Sequence, residues 1–262
     1  MLARLQQRSW VRFDSDPALL IWLKKVHPLA LATAQDPALR HDWLRNNGTW
    51  FVGVNALAND KDGSIAGSGP MPGPAMDFIR QDLGLDDIKL DRAQVSICYP
   101  GYPQRDKGDS DSAFQFRLTR DAAHVDGLHP VGPDRRRKLL EFQGFLIGIP
   151  VTKTDENASP MVVWEGSHQI MRAMFRKTLV GIDQTDWPMV DLTDAYQTAR
   201  RAAFETCRRV VVHAHPGQAY LLHPMALHGV APWQKGARAE ESQRAILYFR
   251  PDIDRAAWLT TA

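Results

Sequence analysis

The feature that most constrains the fold is a pair of potential metal ligands, His124 and Asp126, with a third candidate, His228, about a hundred residues further along the chain. Side chains at positions i and i+2 of a β-strand point to the same side. His124 and Asp126 can therefore hold one metal ion together if the chain is extended there. His228 must be brought to them by another strand. The spacing thus predicts a fold in which strands distant in sequence meet at one end.

Two imidazoles and one carboxylate on one face of a metal form the facial triad of non-haem iron oxygenases. Such a set leaves the opposite face open for a cosubstrate and oxygen. A His-x-Asp sequence alone is weak evidence, because a His–Asp pair is more often a surface hydrogen bond than a ligand set. Two histidines and an aspartate can also hold zinc. Zinc hydrolysis ranks last, because no residue here resembles the general base of a zinc-protease motif.

An arginine, Arg244, opens the apolar segment that follows the distal histidine. The planar guanidinium pairs with a carboxylate through two parallel hydrogen bonds. We therefore expect Arg244 to clamp a dicarboxylate, with Arg238 and Arg250 as competitors for that role. The alternative for Arg244 is a charge at a strand edge that faces water.

Four segments carry a resemblance to a known family, and together they span roughly residues 93 to 251. They are His124-Val-Asp126, residues 157–168 ending in Gly-Ser-His, residues 216–228 leading to His228, and residues 94–101 beginning at Gln94. They resemble the Fe(II)/2-oxoglutarate dioxygenases and, within them, the phytanoyl-CoA dioxygenase-like group. One departure is Glu165, which stands where relatives usually have a proline before the glycine.

The resemblance implies Fe(II) bound by His124, Asp126 and His228, and 2-oxoglutarate bound by Arg244 with Gln94 as a further contact. It implies hydroxylation of an aliphatic carbon of a small-molecule substrate by O2, with release of succinate and CO2. Two alternatives stay open: a cupin-type iron dioxygenase that does not use 2-oxoglutarate, and a non-catalytic β-barrel binding protein. Activity without 2-oxoglutarate would indicate the first, and stoichiometric iron binding would count against the second.

Composition bears on partners and compartment. The 262 residues carry a formal net charge of +2 with acids and bases mixed, which argues against a nucleic-acid surface. The basic run Asp134 to Lys138 is expected to be a solvated loop. The longest apolar run near the N-terminus, Ala18 to Leu23, is too short to span a membrane, and the N-terminus lacks the pattern of a signal peptide. We therefore expect a cytoplasmic protein with two reduced cysteines; its oligomeric state is open.

The pattern of turn residues and apolar periodicity predicts helices before strands. Helices are expected at 17–26, 38–45, 74–83, 167–177 and 191–208, and strands at 49–54, 93–99, 114–119, 142–151, 161–164, 210–213, 219–223, 227–230 and 244–249. The polar loop 104–112 is expected to act as a mobile lid. Helices followed by about eight strands favour a mainly β fold with flanking helices, a double-stranded β-helix or cupin-like jelly roll.

The whole chain, 1–262, is predicted to be a single domain. Residues 1–92 form a helical N-terminal part packed on the barrel, and residues 93–251 form the double-stranded β-helix core. The core carries a helical insertion at about 167–208.

Overall fold

The computed structural model describes residues 1–260. The helices are α1 (Leu2–Arg8), α2 (Pro17–Thr33), α3 (Pro37–Trp43), α4 (Pro74–Gln81), α5 (Asp111–Arg120), α6 (Ser167–Leu179), α7 (Thr193–Thr206) and α8 (Arg255–Trp258), with a 3-10 turn at Trp187–Met189. The strands are β1 (Trp10–Phe13), β2 (Leu44–Arg45), β3 (Trp50–Phe51), β4 (Gln94–Cys98), β5 (Leu128–Val131), β6 (Arg136–Leu139), β7 (Leu146–Pro150), β8 (Met161–Trp164), β9 (Arg209–Val212), β10 (Ala219–Leu222), β11 (His228–Val230) and β12 (Arg244–Phe249).

The strands form two antiparallel sheets and a hairpin. The large sheet has the order β1-β10-β7-β12-β4-β3-β2, the small sheet has the order β11-β8-β9, and β5 pairs with β6. A single bridge joins His124 to His228 and adds the segment around His124 to the edge of the small sheet. From β4 onward the chain therefore passes repeatedly between the two sheets, and this strand order is that of a double-stranded β-helix. The predicted fold class is confirmed.

The two faces of β12 show how the layers pack. Ala245, Leu247 and Phe249 belong to the core between the large sheet and the N-terminal helices, which also contains Trp22. Ile246 and Tyr248 point the other way, into a smaller core shared with residues of the small sheet. A third core lies between the small sheet and the helices α6 and α7. The barrel is therefore enclosed by helices on both sides.

Helix α2 begins where the sequence predicts but continues seven residues beyond the expected end at Val26. The Asp16 side chain accepts a hydrogen bond from the Leu19 amide and caps the helix, and Pro17 occupies its first turn. Pro28 lies inside the helix, where it removes a backbone hydrogen bond. The buried face continues past it to Ala30, and this packing keeps the chain helical.

The strand predicted for Phe114–Thr119 is wrong, because these residues lie within helix α5. The Ser110 hydroxyl accepts a hydrogen bond from the Ala113 amide at the start of the helix. Phe116 packs edge-on against Phe204 of α7. Apolar residues at alternate positions fit a strand locally, but the cap and the contact with α7 favour the helix.

The loop expected at Asp134–Lys138 is also wrong in part. Arg136–Leu139 forms β6, paired in register with β5, and only the turn before it is irregular. The Arg136 guanidinium pairs with Asp191. Within residues 1–260, no helix is both long and apolar enough to cross a membrane.

The polar loop 104–112 makes several contacts with its surroundings. The Asp106 carboxylate accepts hydrogen bonds from the Asn46 and Asn47 amides. Asp109 pairs with Arg117 of α5. The mobility of this loop stays a prediction.

Candidate functional site

The structure brings His124, Asp126 and His228 together at one end of the barrel. One ligand atom from each lies within 4.8 Å of the others. Nε2 of His124 is 3.2 Å from Oδ1 of Asp126, and Nε2 of His228 is 3.6 Å from Oδ2. Asp126 and His228 are buried, while the His124 side chain is 51% exposed and lies at the opening. Among the described residues, this is the one group of three or more such side chains with metal-binding geometry.

The backbone around the three residues explains their convergence. The His124 amide donates to the His228 carbonyl at 2.8 Å, and the His228 amide donates back at 3.0 Å. The predicted strand at His124 is thus reduced to one bridge. Gly229 permits it, because a Cβ there would lie 2.2 Å from the Asp121 carbonyl oxygen. The chain turns away at Gly127, where φ is +79° and a Cβ would meet the Glu141 carbonyl.

Both imidazoles are oriented by a hydrogen bond on the side away from the cluster. Nδ1 of His124 lies 3.0 Å from the Ala122 carbonyl, and Nδ1 of His228 lies 2.9 Å from the Ala226 carbonyl. A carbonyl can only accept, so each Nδ1 carries a hydrogen, and the Nε2 of a neutral ring directs its lone pair at the centre. Metal-bound histidines are held in this way. The three side chains therefore fit a divalent cation.

The charges at the cluster are strongly coupled. Burial alone would raise the pKa of Asp126, but Arg250 and the two histidines outweigh it and hold the pKa well below its usual value. Burial lowers the pKa of His228 to about 4. Burial also disfavours the charged form of His124, yet its pKa is raised, because the contact with Asp126 dominates. The carboxylate is thus ionised and His228 neutral at neutral pH, as metal ligation requires.

A cavity of about 170 Å³ opens in front of the three residues. Its walls are largely apolar and aromatic, with a few polar side chains near the triad. Besides the triad, its lining includes Trp50, Val52, Val54, Gln94, Ser96, Tyr102, Leu146, Met161, Val230, Tyr248 and Arg250. Apolar walls with a few placed polar groups are typical of small-molecule sites.

Arg244 lies inside the barrel, behind the wall of this cavity. Its side chain is buried, and Nη2 donates to the Tyr248 hydroxyl at 2.9 Å. The Tyr220 hydroxyl bonds to the same oxygen of Tyr248. Nη1 is buried and has no hydrogen-bond partner. An unsatisfied buried guanidinium nitrogen is costly, so the position suits an anionic ligand.

The other sequence candidates lie in different surroundings. Gln94 is buried, lines the cavity and donates from Nε2 to the Val52 carbonyl. Arg238 lies at the surface beside Asp155, in a separate depression. His223 is buried in contact with Arg172 and does not line the triad cavity.

Arg250 and Tyr248 line the cavity, and the sequence interpretation gave neither a specific role there. Nη1 of Arg250 is 3.4 Å from Oδ2 of Asp126. Both residues share the inward face of β12 with Arg244, since side chains alternate along a strand. The period of two counted from Arg244 was the signal that could have found them.

The comparisons with known proteins give similarities of fold only. No protein-family model matches the chain, and no curated protein matches its sequence significantly. Three solved structures are similar to it. They are AviO1 from Streptomyces viridochromogenes Tue57 (14% identity, covering 96% of this chain and 93% of that one, TM-score 0.47), the non-heme alpha ketoglutarate dependent carbocyclase SnoK from nogalamycin biosynthesis (11%, 95% and 82%, 0.46), and EctD from S. alaskensis with bound Fe (15%, 95% and 75%, 0.43).

SnoK and EctD are described in terms of the two cofactors that the sequence resemblance implies, alpha-ketoglutarate and iron. At this level of identity the likeness carries nothing about substrate or reaction. The phytanoyl-CoA dioxygenase-like subgroup stays a prediction.

Proposed function

We propose that this protein is a non-haem Fe(II)- and 2-oxoglutarate-dependent oxygenase that hydroxylates an aliphatic carbon of a small molecule. The observation that carries the proposal is the convergence of two carbonyl-oriented imidazoles and one ionised carboxylate on a single point at the mouth of a cavity. Three ligands on one side leave coordination sites free on the cavity side.

The roles of the residues follow from their positions. His124, Asp126 and His228 would hold the metal. Arg244 would bind the far carboxylate of 2-oxoglutarate, supported by the unpartnered Nη1 and by the hydroxyl of Tyr248 beside it. Gln94 would be a lesser contact, since it lines the cavity while its amide nitrogen is bonded to the backbone.

Iron and 2-oxoglutarate, when bound, supply the activation of O2. The protein's own contribution is orientation and the exclusion of water. Val52, Leu146 and Met161 present apolar surface to the cavity, so an aliphatic part of a substrate can displace water there. The small volume of the cavity favours a small molecule over a macromolecule.

The proposal is tested by measuring succinate formed from 2-oxoglutarate with iron and O2 present. We expect slow succinate formation without substrate, lost when iron is withheld or in Asp126→Ala. Wild-type formation of succinate in Asp126→Ala would remove the triad from the reaction. Binding of iron without any conversion of 2-oxoglutarate would favour the cupin-type alternative.

A further inference from the structure

The guanidinium of Arg250 is only partly used within the protein. Its one charged partner among the described residues is Asp126, at 3.4 Å, longer than the 2.7–2.9 Å of a strong charge-assisted bond. Its Nε is buried and has no hydrogen-bond partner. The side chain is 17% exposed and lines the triad cavity. A mostly buried guanidinium with free donors is costly unless a ligand completes it.

Nearby acids do not supply that partner. A polar cavity next to the triad is lined by Asp91, Glu141 and Asp252, with Arg250 as the shared wall. Asp91 accepts the main-chain amide of Arg250 at 2.7 Å. Glu141 pairs with His129, and Asp252 accepts the Phe142 amide. The backbone of Arg250 is thereby fixed, while its guanidinium stays directed at Asp126.

We propose that Arg250 is a second anion-binding residue of the site, and that it binds the carboxylate next to the 2-oxo group of the cosubstrate. This inference rests on the proposed function. Two oxygen ligands on one metal lie about 3 Å apart, because each metal–oxygen bond is about 2.1 Å long. A guanidinium that contacts Asp126 is therefore within reach of another carboxylate on the same metal. In the free protein, Asp126 occupies Arg250.

Arg244 and Arg250 then serve opposite ends of one dicarboxylate. Both lie on the inward face of β12, and both have a buried nitrogen without a partner. Arg244 lies behind Tyr248, away from the triad, whereas Arg250 contacts the triad itself. The two arginines are thus distinguishable by ligands that have one or both carboxylates.

The experiment compares 2-oxoglutarate with pyruvate, which keeps the 2-oxo carboxylate but lacks the far one. Dissociation constants are measured anaerobically with Fe(II), from the visible band of the chelate. In Arg250→Met we expect both constants to rise, by roughly tenfold to a hundredfold. In Arg244→Met only the constant for 2-oxoglutarate should rise. Arg250→Lys, which keeps the charge but not the fork, should lie between Arg250→Met and the wild type.

Arg238→Met is the matched control, since Arg238 lies at the surface. Constants for Arg250→Met equal to those of the wild type would overturn the proposal, and so would a loss confined to 2-oxoglutarate. If the wild-type protein gives no band with either acid, the proposed function itself fails and this inference fails with it.

A second measurement separates ligand binding from mere support of Asp126. Mn(II) binding without any 2-oxo acid is followed by the loss of the free-ion EPR signal. We expect Arg250→Met to bind Mn(II) as tightly as the wild type or more tightly, because a positive charge next to the metal is removed. Loss of Mn(II) binding in both Arg250→Met and Arg250→Lys would show a structural role and overturn the proposal.

Discussion

At the scale of single residues, Asp126 is the centre of the account, because it contacts both histidines and Arg250. We expect Asp126→Ala to abolish iron-dependent succinate formation, since two neutral imidazoles alone bind Fe(II) weakly. The fold should persist, because the sheets do not depend on this side chain. Far-UV circular dichroism and succinate assays check the two expectations. Asp111→Ala, at an exposed position of α5, is the control and should keep full activity.

Arg244 is predicted to act on cosubstrate binding more than on turnover. In Arg244→Met we expect the concentration of 2-oxoglutarate needed for half-maximal succinate formation to rise about tenfold or more, because a charge-assisted pair is lost. The rate at saturation should change less. Arg238→Met should leave both values unchanged. If Arg238→Met raises the requirement instead, the clamp has been assigned to the wrong arginine.

His168 gives a pH dependence that is independent of the metal. Burial lowers its pKa to about 4 from the model value of 6.5. Nε2 donates to the Gln6 carbonyl, and Nδ1 is buried without a partner. Between these two pH values the unfolded chain binds more protons, so this contribution is complete above pH 6.5 and is lost as the pH falls towards 4. The slope is about 1.4 kcal/mol per pH unit at most.

Urea unfolding of the metal-free protein at several pH values measures this slope. We expect His168→Gln to flatten the fall in unfolding free energy below pH 6.5, relative to the wild type. A matched substitution at exposed His41 should leave the slope unchanged. An identical slope in wild type and His168→Gln would contradict the assignment.

At the scale of secondary-structure elements, the site depends on the close approach of β11 to the segment before His124. Gly229→Ala places a Cβ against the Asp121 carbonyl, so the backbones must separate. We expect lower stability and weaker Mn(II) binding, because the His124–His228 bridge is lost. Gly67→Ala, in an open loop, is the control and should affect only stability, and only slightly. Unchanged metal affinity in Gly229→Ala would show that the bridge does not position the ligands.

The elements also show what the sequence could predict. Strand β12 was predicted at its observed bounds, because Arg244 and Pro251 flank a continuous apolar run. Strand β1 was missed, since four residues between two helices give little periodic signal and its pairing with β10 is distant in sequence. Helix α5 was predicted as a strand, because its contact with Phe204 cannot be read locally. Local chemistry thus predicted the elements whose own ends carry strong signals.

The same limit applies to the site. The spacing of His124 and Asp126 and the distant His228 were sufficient to propose a metal site. The contact between Arg250 and Asp126 joins positions 124 residues apart, and only the fold brings them together. Tyr248 could have been found from the alternation along β12.

At the scale of the whole molecule, the N-terminal part is predicted to unfold together with the barrel. Trp22 of α2 is 1% exposed and belongs to the same core as Leu247 of β12. We expect one urea transition, with coincident curves from circular dichroism and tryptophan fluorescence. Trp22→Ala should destabilise the molecule by about 3–5 kcal/mol and shift both curves together. Two separate transitions would show that residues 1–92 form an independent unit.

The most direct test of the central claim is an anaerobic titration of the metal-free protein with Fe(II) and 2-oxoglutarate, followed by visible absorption. A facial-triad site that binds both predicts a weak charge-transfer band that needs both components and saturates at one iron per chain. We expect this band in the wild type and its loss in His124→Ala. A band that persists in His124→Ala, or no iron binding by the wild type, would contradict the claim that these three residues form the metal site of an oxygenase.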